Sequence, residues 1–189
     1  MTRIIAGTAR GRRIRVPPGG ARPTTDRVRE ALFASLDHLL GGFSRLRILD
    51  LYAGSGALGL EAASRGAGEV VLVERDRAIA RAARTNAASV DLPQVQVVVA
   101  PVLAYLSGTS RPFDLVLADP PYATPASEVE AMLERLAGGW LAPGAVVVVE
   151  RPSRDGAFSW PTRFVAHRQS AYGGTTLWYG RHAPEGEDR

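Results

Sequence analysis

The chain has 189 residues, of which 46% are hydrophobic and 22% are charged, and this composition suits one folded domain with a substantial core. It contains no cysteine, which excludes disulfides, thiolate metal sites and a thiol nucleophile, and its three scattered histidines lack metal-ligand spacing. No stretch approaches the roughly 18 apolar residues of a membrane span, and the start of the chain lacks the hydrophobic region of a signal peptide. We therefore expect no metal, no membrane association and a cytoplasmic location.

Positive charge is concentrated at the beginning of the chain. All 23 basic residues are arginines, and eight of them lie in residues 1–29 beside a single acidic residue, Asp26. The other 160 residues hold 15 arginines and 18 acidic residues. This asymmetry predicts a basic arm that contacts phosphates. The candidate RNA-binding residues are Arg10, Arg12, Arg13, Arg22 and Arg27. Arg22, Arg27 and Arg29 have an alternative role, which is to order the following helix against the body.

The first predicted elements form a small extension. Two short β-like segments at 3–6 and 12–16 flank a turn and predict a hairpin. A helix is predicted from Thr25 or Asp26 to about residue 40, where two glycines end it. We therefore divide the chain into a basic extension at 1–42, a main domain at 43–183 and a polar tail at 184–189.

Strands and helices then alternate through the main domain. The predicted strands are 46–50, 69–74, 95–99, 113–118 and 145–150, and the predicted helices are 57–65, 76–89 and 127–136. Near-continuous apolar strands separated by helices predict a parallel sheet covered on both faces. Two last strands, 163–169 and 175–181, have no helix between them and indicate an antiparallel hairpin. This α/β pattern, a mostly parallel seven-stranded Rossmann-like sheet, resembles the class I methyltransferase architecture.

A glycine-rich loop follows the first strand of this sheet. Gly54-Ser-Gly56-Ala-Leu-Gly59 matches the dinucleotide fingerprint, and Glu74 stands where an acid that binds ribose is expected, so NAD is a candidate cofactor. Asp50 favours another cofactor, because a carboxylate is unfavourable beside a diphosphate and favourable beside an ammonium and a sulfonium. S-adenosylmethionine carries both cations. The candidate cofactor-binding residues are Asp50, Tyr52, Ala53, Gly54, Ser55, Gly56, Glu74, Arg75 and Val102.

The second motif is Asp119-Pro120-Pro121-Tyr122, at the end of the strand predicted at 113–118. Two successive prolines fix φ and remove two backbone donors, so the chain leaves the sheet rigidly where ligands bind in open α/β sheets. A carboxylate, a carbonyl and an aromatic ring suit a flat base with an exocyclic amine, because the ring stacks and the oxygens accept hydrogen bonds. These four residues are the catalytic candidates. A proline-rich turn with a capping Asp is the alternative interpretation of the motif alone.

These motifs together resemble the RsmD family of bacterial 16S ribosomal RNA methyltransferases. In related amino-methyltransferases a D/N-P-P-F/Y/W segment receives the target amine, and segments 3–13 and 22–33 of this chain are similar to the RsmD family specifically. The resemblance implies S-adenosylmethionine-dependent methylation of the N2 amine of a guanine in 16S rRNA, the guanine-966 type of site. It also suggests a monomer that acts on naked rRNA or on an assembling small ribosomal subunit.

The resemblance also implies roles for individual residues. The Asp119 carboxylate and the Pro120 carbonyl would accept hydrogen bonds from the two N2 protons, and Tyr122 would stack on a flipped base. Asp119 is a candidate acceptor of the leaving proton, and the order of proton loss and methyl transfer stays open. Many relatives of this fold have Asp or Asn after the third strand to bind adenine. This chain has Val99-Ala-Pro-Val102 there, so a backbone group such as the Val102 amide would take that role.

Two other functions remain open at this point. A DNA adenine-N6 or cytosine-N4 methyltransferase would also use D-P-P-Y, although the chain has no separate domain to recognise a DNA sequence. A non-catalytic rRNA-binding protein with a vestigial cofactor pocket would retain the basic arm. Asn86, on the helix after the second strand, is interpreted as a local cap or a packing residue.

Overall fold

The computed structural model describes residues 2–17 and 25–183. A hairpin of β1 (Thr2–Arg3) and β2 (Arg13–Ile14) and helix α1 (Asp26–Leu40) precede the main sheet. The strands of that sheet are β3 (Arg47–Leu51), β4 (Glu69–Glu74), β5 (Val95–Val99), β6 (Phe113–Ala118), β7 (Leu141–Pro152), β8 (Phe164–Tyr172) and β9 (Thr175–His182). The remaining helices are α2 (Ala57–Ser64), α3 (Arg77–Ser89), α4 (Val102–Tyr105) and α5 (Ala126–Ala137). None of the helices in this described part is long and apolar enough to cross a membrane.

The main sheet has seven strands in the order β5-β4-β3-β6-β7-β9-β8. Strands β3 to β7 pair in parallel, and β9 is antiparallel to both of its neighbours, β7 and β8. The strand order reverses between β3 and β6, because chain order runs outward from β3 on one side and from β6 on the other. The carboxyl ends of these two strands therefore border the crevice in which a ligand of an open α/β sheet binds.

The central strands are apolar because both faces of the sheet are covered. Alternate residues of β7 belong to different clusters. Val146 and Val148 join the cluster that contains residues of α2 and the N-terminal extension, whereas Val147 and Val149 join the cluster that contains residues of α5. The extension contributes Ile4 and Ile14 to the first cluster, together with apolar residues of α1. The extension is therefore packed on the same core as the main sheet.

Local signals set the ends of α1. The Thr25 hydroxyl accepts a hydrogen bond from the Val28 N–H at 3.4 Å, which caps the first turn. At the other end Gly41 adopts the left-handed conformation with φ 69°, which glycine allows at little cost. Between these caps Val28, Leu32 and Leu36 recur at helical spacing and are buried.

The structure confirms the predicted fold class and refines the element bounds. Strands β4, β5 and β6 have the predicted bounds, whereas β7 begins at Leu141 and not at 145. The prediction shortened β7 because Pro143 and Gly144 interrupt its apolar pattern. The short helix α4 was not predicted, β1 shares only Arg3 with the segment predicted at 3–6, and β2 is shorter than the segment predicted at 12–16. The break at 18–20, Arg22 and the tail at 184–189 lie outside the described residues.

Candidate active site

A cavity of about 580 Å³ opens at the carboxyl ends of β3 and β4. Its lining includes polar and charged residues and also apolar residues such as Ile79, Val102 and Leu103. Eight of the nine predicted cofactor-binding residues line this cavity: Asp50, Tyr52, Ala53, Gly54, Ser55, Glu74, Arg75 and Val102. Gly56, the ninth, is not a lining residue. It precedes α2 and donates its N–H to the Ala53 carbonyl at 2.8 Å, so it shapes the turn.

The loop between β3 and α2 adopts a conformation that its sequence permits. Gly54 and Gly56 have φ values of 56° and 86°, in the region that glycine occupies freely. Tyr52 also has a positive φ, 61°, which is strained for an aromatic residue. Gly59 has another role, because a Cβ there would lie 2.2 Å from a Leu72 methyl group. The third glycine of the motif therefore allows α2 to pack closely against β4.

Two carboxylates face this cavity from neighbouring strands, and their environments differ. Asp50 is 1% exposed and accepts one hydrogen bond, from the Gly59 N–H at 2.8 Å. Burial raises the pKa of Asp50 to about 7, against the lowering effect of that hydrogen bond, and the charge of Glu74 raises it further. Glu74 accepts from the Gly54 N–H at 3.0 Å and from the Asp76 N–H at 2.8 Å. These bonds fix the Glu74 carboxylate and still leave acceptor capacity for a ligand.

The Tyr52 hydroxyl is a buried donor beside this cavity. Within the part of the chain that the structure describes, it has no hydrogen-bond partner. Burial raises the pKa of Tyr52 to about 12, and the Glu128 carboxylate adds to this effect. The hydroxyl therefore stays protonated at neutral pH and can donate one hydrogen bond.

The Asp119-Pro120-Pro121-Tyr122 motif separates this cavity from a second one. Asp119 and Pro121 line the first cavity, whereas Tyr122 lines a neighbouring cavity of about 590 Å³. The Tyr122 side chain is 51% exposed, which is unusual for a large aromatic residue. Thr25 and Val28 of the extension, Glu150 of β7 and Tyr172 of β8 also line the second cavity. A ligand there would contact the exposed Tyr122 ring.

The predicted RNA-binding arginines lie on the surface of the extension. Arg10, Arg12, Arg13 and Arg27 are exposed, and Arg22 lies outside the described residues. The Arg12 guanidinium donates to the Ser89 carbonyl, so this side chain also attaches β2 to the end of α3. Arg10 and Arg27 line a shallow cleft together with Arg3. Across the described ranges, no group of three or more histidines and carboxylates is arranged to hold a metal.

Sequence analysis missed a buried polar cluster under the extension. Arg29 and Glu61 are both fully buried, with Nε and Oε2 4.0 Å apart. The Glu61 carboxylate also accepts from the backbone N–H groups of Ile5 and Ala6 at 2.7 and 3.0 Å. Of the two roles left open for Arg29, the structure supports the one that orders α1 against the body. The helical period of α1 provided a signal, since Arg29 lies three and seven residues before the buried Leu32 and Leu36 and therefore on the apolar face.

Sequence analysis also missed how the extension approaches the cofactor cavity. Val16 and Pro17, just after β2, line the same cavity as Asp50 and Glu74. Asn86 of α3 is 2% exposed and bonds to the backbone beside Val16. Nothing in the local sequence pairs position 86 with position 15, because they are brought together only by the tertiary fold.

The fold and the arrangement of the loops define the class of the protein. A central parallel sheet ended by an antiparallel pair, with a glycine loop after β3 and D-P-P-Y after β6, is the class I methyltransferase fold. An RNA methyltransferase from Salinibacter ruber, solved in complex with S-adenosyl-L-homocysteine, shares this fold. The TM-score is 0.67 at 20% identity, over 88% of this chain and 98% of that chain.

More similar relatives identify the family. A family model described as "Conserved hypothetical protein 95" matches residues 2–181. Ribosomal RNA small subunit methyltransferase D of Escherichia coli strain K12 is 39% identical over 90% of this chain and 85% of its own length. Its namesake from Haemophilus influenzae is 37% identical over 78% and 77%. The structure of the Escherichia coli protein yhhF has a TM-score of 0.86 at 34% identity, over 97% and 98%. The chain belongs to the RsmD family.

Proposed function

We propose that this protein methylates the exocyclic N2 amine of a guanine in 16S rRNA, at the guanine-966 type of site. The coarser function, rRNA methylation with S-adenosylmethionine as cofactor, follows from the family. The observation that supports the finer proposal is the boundary between the two cavities. Asp119 and Pro121 face the cavity that holds Asp50 and Glu74, and Tyr122 faces the other.

The donor set of the first cavity fits S-adenosylmethionine. A buried carboxylate at Asp50 suits a cationic group, and the fixed Glu74 carboxylate suits two ribose hydroxyls. The apolar side chains of Ile79, Val102 and Leu103 would pack against adenine. In this proposal the Val102 backbone N–H donates a hydrogen bond to adenine, since no side-chain carboxylate or amide follows β5 directly. When bound, S-adenosylmethionine supplies a methyl group activated by a sulfonium.

The residues of D-P-P-Y would position the amine. The N2 lone pair of guanine is delocalised into the ring, so the amine is a weak nucleophile. Hydrogen bonds from its two protons to the Asp119 carboxylate and the Pro120 carbonyl would direct the lone pair toward the cofactor cavity. The exposed Tyr122 ring would stack on the base from the second cavity. Much of the acceleration would then come from positioning, because the methyl donor is already activated.

The substrate form and the oligomeric state are further parts of the proposal. Exposed arginines on a hairpin and a helix suit phosphates of folded rRNA, either naked or in an assembling small subunit. We propose that one copy of the chain acts alone, because the two cavities and the arm all belong to one chain.

The proposal is tested by mapping N2-methylguanosine in 16S rRNA. A strain lacking the gene should lose one modified guanine by primer extension, and the wild-type gene should restore it. Loss of no modified rRNA base, or transfer to DNA by the purified protein, would contradict the proposal. Calorimetry with S-adenosylmethionine separates an enzyme from an rRNA-binding protein with a vestigial pocket, because such a pocket would give no heat of binding.

Asp119→Ala tests the role of the motif. We expect the rate of methyl transfer to fall at least about 100-fold, the size of effect typical of a positioned polar group in a transition state. The thermal midpoint should change little, because the side chain is only half-buried. Asp37→Ala, at an exposed position of α1, is the matched control and should retain the wild-type rate. An Asp119→Ala variant with the wild-type rate would refute the role given to this carboxylate.

A further inference from the structure

Asn86 joins three backbone segments through one side chain. Its Nδ2 donates to the Arg15 carbonyl and to the Ser55 carbonyl, both at 2.9 Å, and its Oδ1 accepts from the Arg15 N–H at 3.0 Å. All the polar atoms of this amide are therefore paired, at a side chain that is 2% exposed. The amide holds Arg15 by both its N–H and its C=O, as a neighbouring strand would.

The two segments held by Asn86 contribute to the wall of one cavity. Ser55 belongs to the glycine loop, and Val16 and Pro17 directly follow Arg15. All three line the cavity that fits the cofactor. The basic extension therefore provides part of the cofactor cavity, and the Asn86 side chain links that part to the glycine loop.

The same helix holds the arm at a second point. The Arg12 guanidinium donates to the Ser89 carbonyl, three residues after Asn86 on α3. The arginines proposed to bind phosphates thus belong to a segment that is attached to α3 at Arg12 and at Arg15. A phosphate backbone that binds Arg10 and Arg13 would hold this segment at its attachment on α3.

From this arrangement we infer that Asn86 is a positioning residue that couples rRNA binding on the arm to cofactor binding in the cavity. The inference rests on the proposed function, in which the arm binds rRNA. RNA that fixes residues 10–15 would fix Val16 and Pro17 as well, so the protein would lose less conformational freedom when the cofactor binds. Coupling of this kind is reciprocal, and the cofactor would tighten rRNA binding by the same factor.

The test measures the Kd of radiolabelled S-adenosylhomocysteine by equilibrium dialysis, with and without saturating transcribed 16S rRNA. For the wild-type protein we expect rRNA to lower this Kd at least about 5-fold, the lower end of typical allosteric coupling. Asn86→Asp keeps an acceptor for the Arg15 N–H and loses both donated bonds. Its coupling should fall below about twofold. A purely structural role would weaken binding equally with and without rRNA, and would leave the ratio unchanged.

Two further variants keep the inference falsifiable if Asn86→Asp folds poorly. Val16→Ala shortens the side chain that lines the cavity and leaves the hydrogen bonds between Asn86 and the Arg15 backbone in place. The coupling in this variant should also fall. Thr85→Ala is the control on α3, because this exposed hydroxyl donates only within its own helix, to the Arg81 carbonyl. Coupling in Thr85→Ala should match the wild type.

Two results would overturn the inference while the proposed function stands. One is a wild-type Kd that rRNA does not change, and the other is unchanged coupling in folded Asn86→Asp or in Val16→Ala. Failure of the proposed function gives a different result: wild-type protein that binds no S-adenosylhomocysteine in either condition, or that methylates no guanine. That result would overturn both.

Discussion

Asp50 and Glu74 illustrate how neighbouring carboxylates acquire different properties. Both face one cavity, yet Asp50 is fully buried with one hydrogen bond, whereas Glu74 is half-buried with two. Burial raises the pKa of Asp50 from its ordinary value of 3.8 to about 7. In the protein without ligand this group is therefore divided between its neutral and charged forms near pH 7. A cation in the cavity would shift it to the carboxylate.

The affinity of the cavity for S-adenosylmethionine should depend on pH. Below pH 7 the binding of a cationic cofactor must release the Asp50 proton, so affinity should fall about tenfold for each pH unit below 7. Above pH 7 the carboxylate is already formed and this dependence should disappear. Calorimetry with S-adenosylmethionine between pH 5.5 and 7 measures the slope, a range in which the ammonium of the ligand stays charged. A flat wild-type profile would show that Asp50 does not face the cation.

Asp50→Asn is the matched variant for this prediction. It keeps the shape of the side chain and cannot ionise, so its affinity should be low and independent of pH over the same range.

The free energy of unfolding of the ligand-free protein should show the opposite dependence on pH. The folded state retains a proton between about pH 4 and 7 that the unfolded state has lost, so the free energy of unfolding should fall as pH rises through this window. In Asp50→Asn that contribution should vanish.

At this scale the sequence predicted residues whose role depends on position within a motif. Asp50, Glu74 and Asp119 each lie at or next to the carboxyl end of a strand, so the apolar pattern of the strands was enough to bring them to one edge of the sheet. Asn86 and Val16 could not be found in this way. Their partners lie 71 residues away for the bond from Asn86 to Arg15, and no local pattern records a pairing of that range.

The hairpin of the extension is the element whose attachment depends most on one close contact. Gly7 has φ 82°, and a Cβ there would lie 1.8 Å from the Ser64 carbonyl oxygen at the end of α2. The Thr8 N–H donates to the same carbonyl at 2.8 Å. Only glycine allows the hairpin turn to approach α2 this closely. The same turn also brings Ile5 and Ala6 to the Glu61 carboxylate.

This geometry predicts that Gly7→Ala is far more damaging than Gly11→Ala. Gly11 has a similar φ of 80° and no atom within 4 Å of a built Cβ, so it is the matched control. Gly11→Ala should lower the free energy of unfolding by about 1–2 kcal/mol, from the left-handed conformation alone. Gly7→Ala should cost about 1–3 kcal/mol more, because the hairpin has to move off α2. Urea unfolding measures both, and equal losses would contradict the close contact.

Elements with a clear hydrophobic pattern were predicted well, whereas elements whose bounds depend on tertiary contacts were not. The apolar runs of β4, β5 and β6 gave the correct bounds because the sheet covers both faces of these strands. Strand β7 extends through Pro143 and Gly144, which a local pattern interprets as a break. Helix α4 has only four residues, too few for a helical period to be visible. Helix α4 contributes to the site despite its length, because its residues Val102 and Leu103 line the cavity.

For the whole molecule, the distribution of charge predicts how rRNA binding responds to salt. Arg10 and Arg13 are exposed on the arm, whereas Arg111 lies outside the arm, just before β6, and pairs with Glu69. Replacing Arg10 and Arg13 together by Gln should reduce the slope of log K against log salt concentration by about 1.5, since each lost phosphate contact removes roughly 0.7–0.9. Filter binding with transcribed 16S rRNA from 50 to 300 mM salt measures this slope.

Arg111→Gln is the control for that experiment, because it removes one positive charge that does not belong to the arm. Its slope should equal that of the wild type. If the double variant of Arg10 and Arg13 and the Arg111→Gln variant both showed a reduced salt dependence, the phosphate contacts would be spread over the surface and the arm would have no special role. If neither lost slope, rRNA would be bound by other groups.

The pairing of β3 with β6 has a consequence for the choice of substrate. Leu51 and Ala118 are paired at the ends of these strands, so Tyr52 and Asp119 leave the middle of the sheet side by side. In the proposed function, the distance between the methyl donor and the accepting amine would therefore be set by the backbone of two central strands and not by a movable side chain. If this distance is fixed, only a base that the RNA can extend as far as the cofactor cavity would be methylated. Local deformability of the rRNA would then decide which guanine is modified, as much as its sequence does.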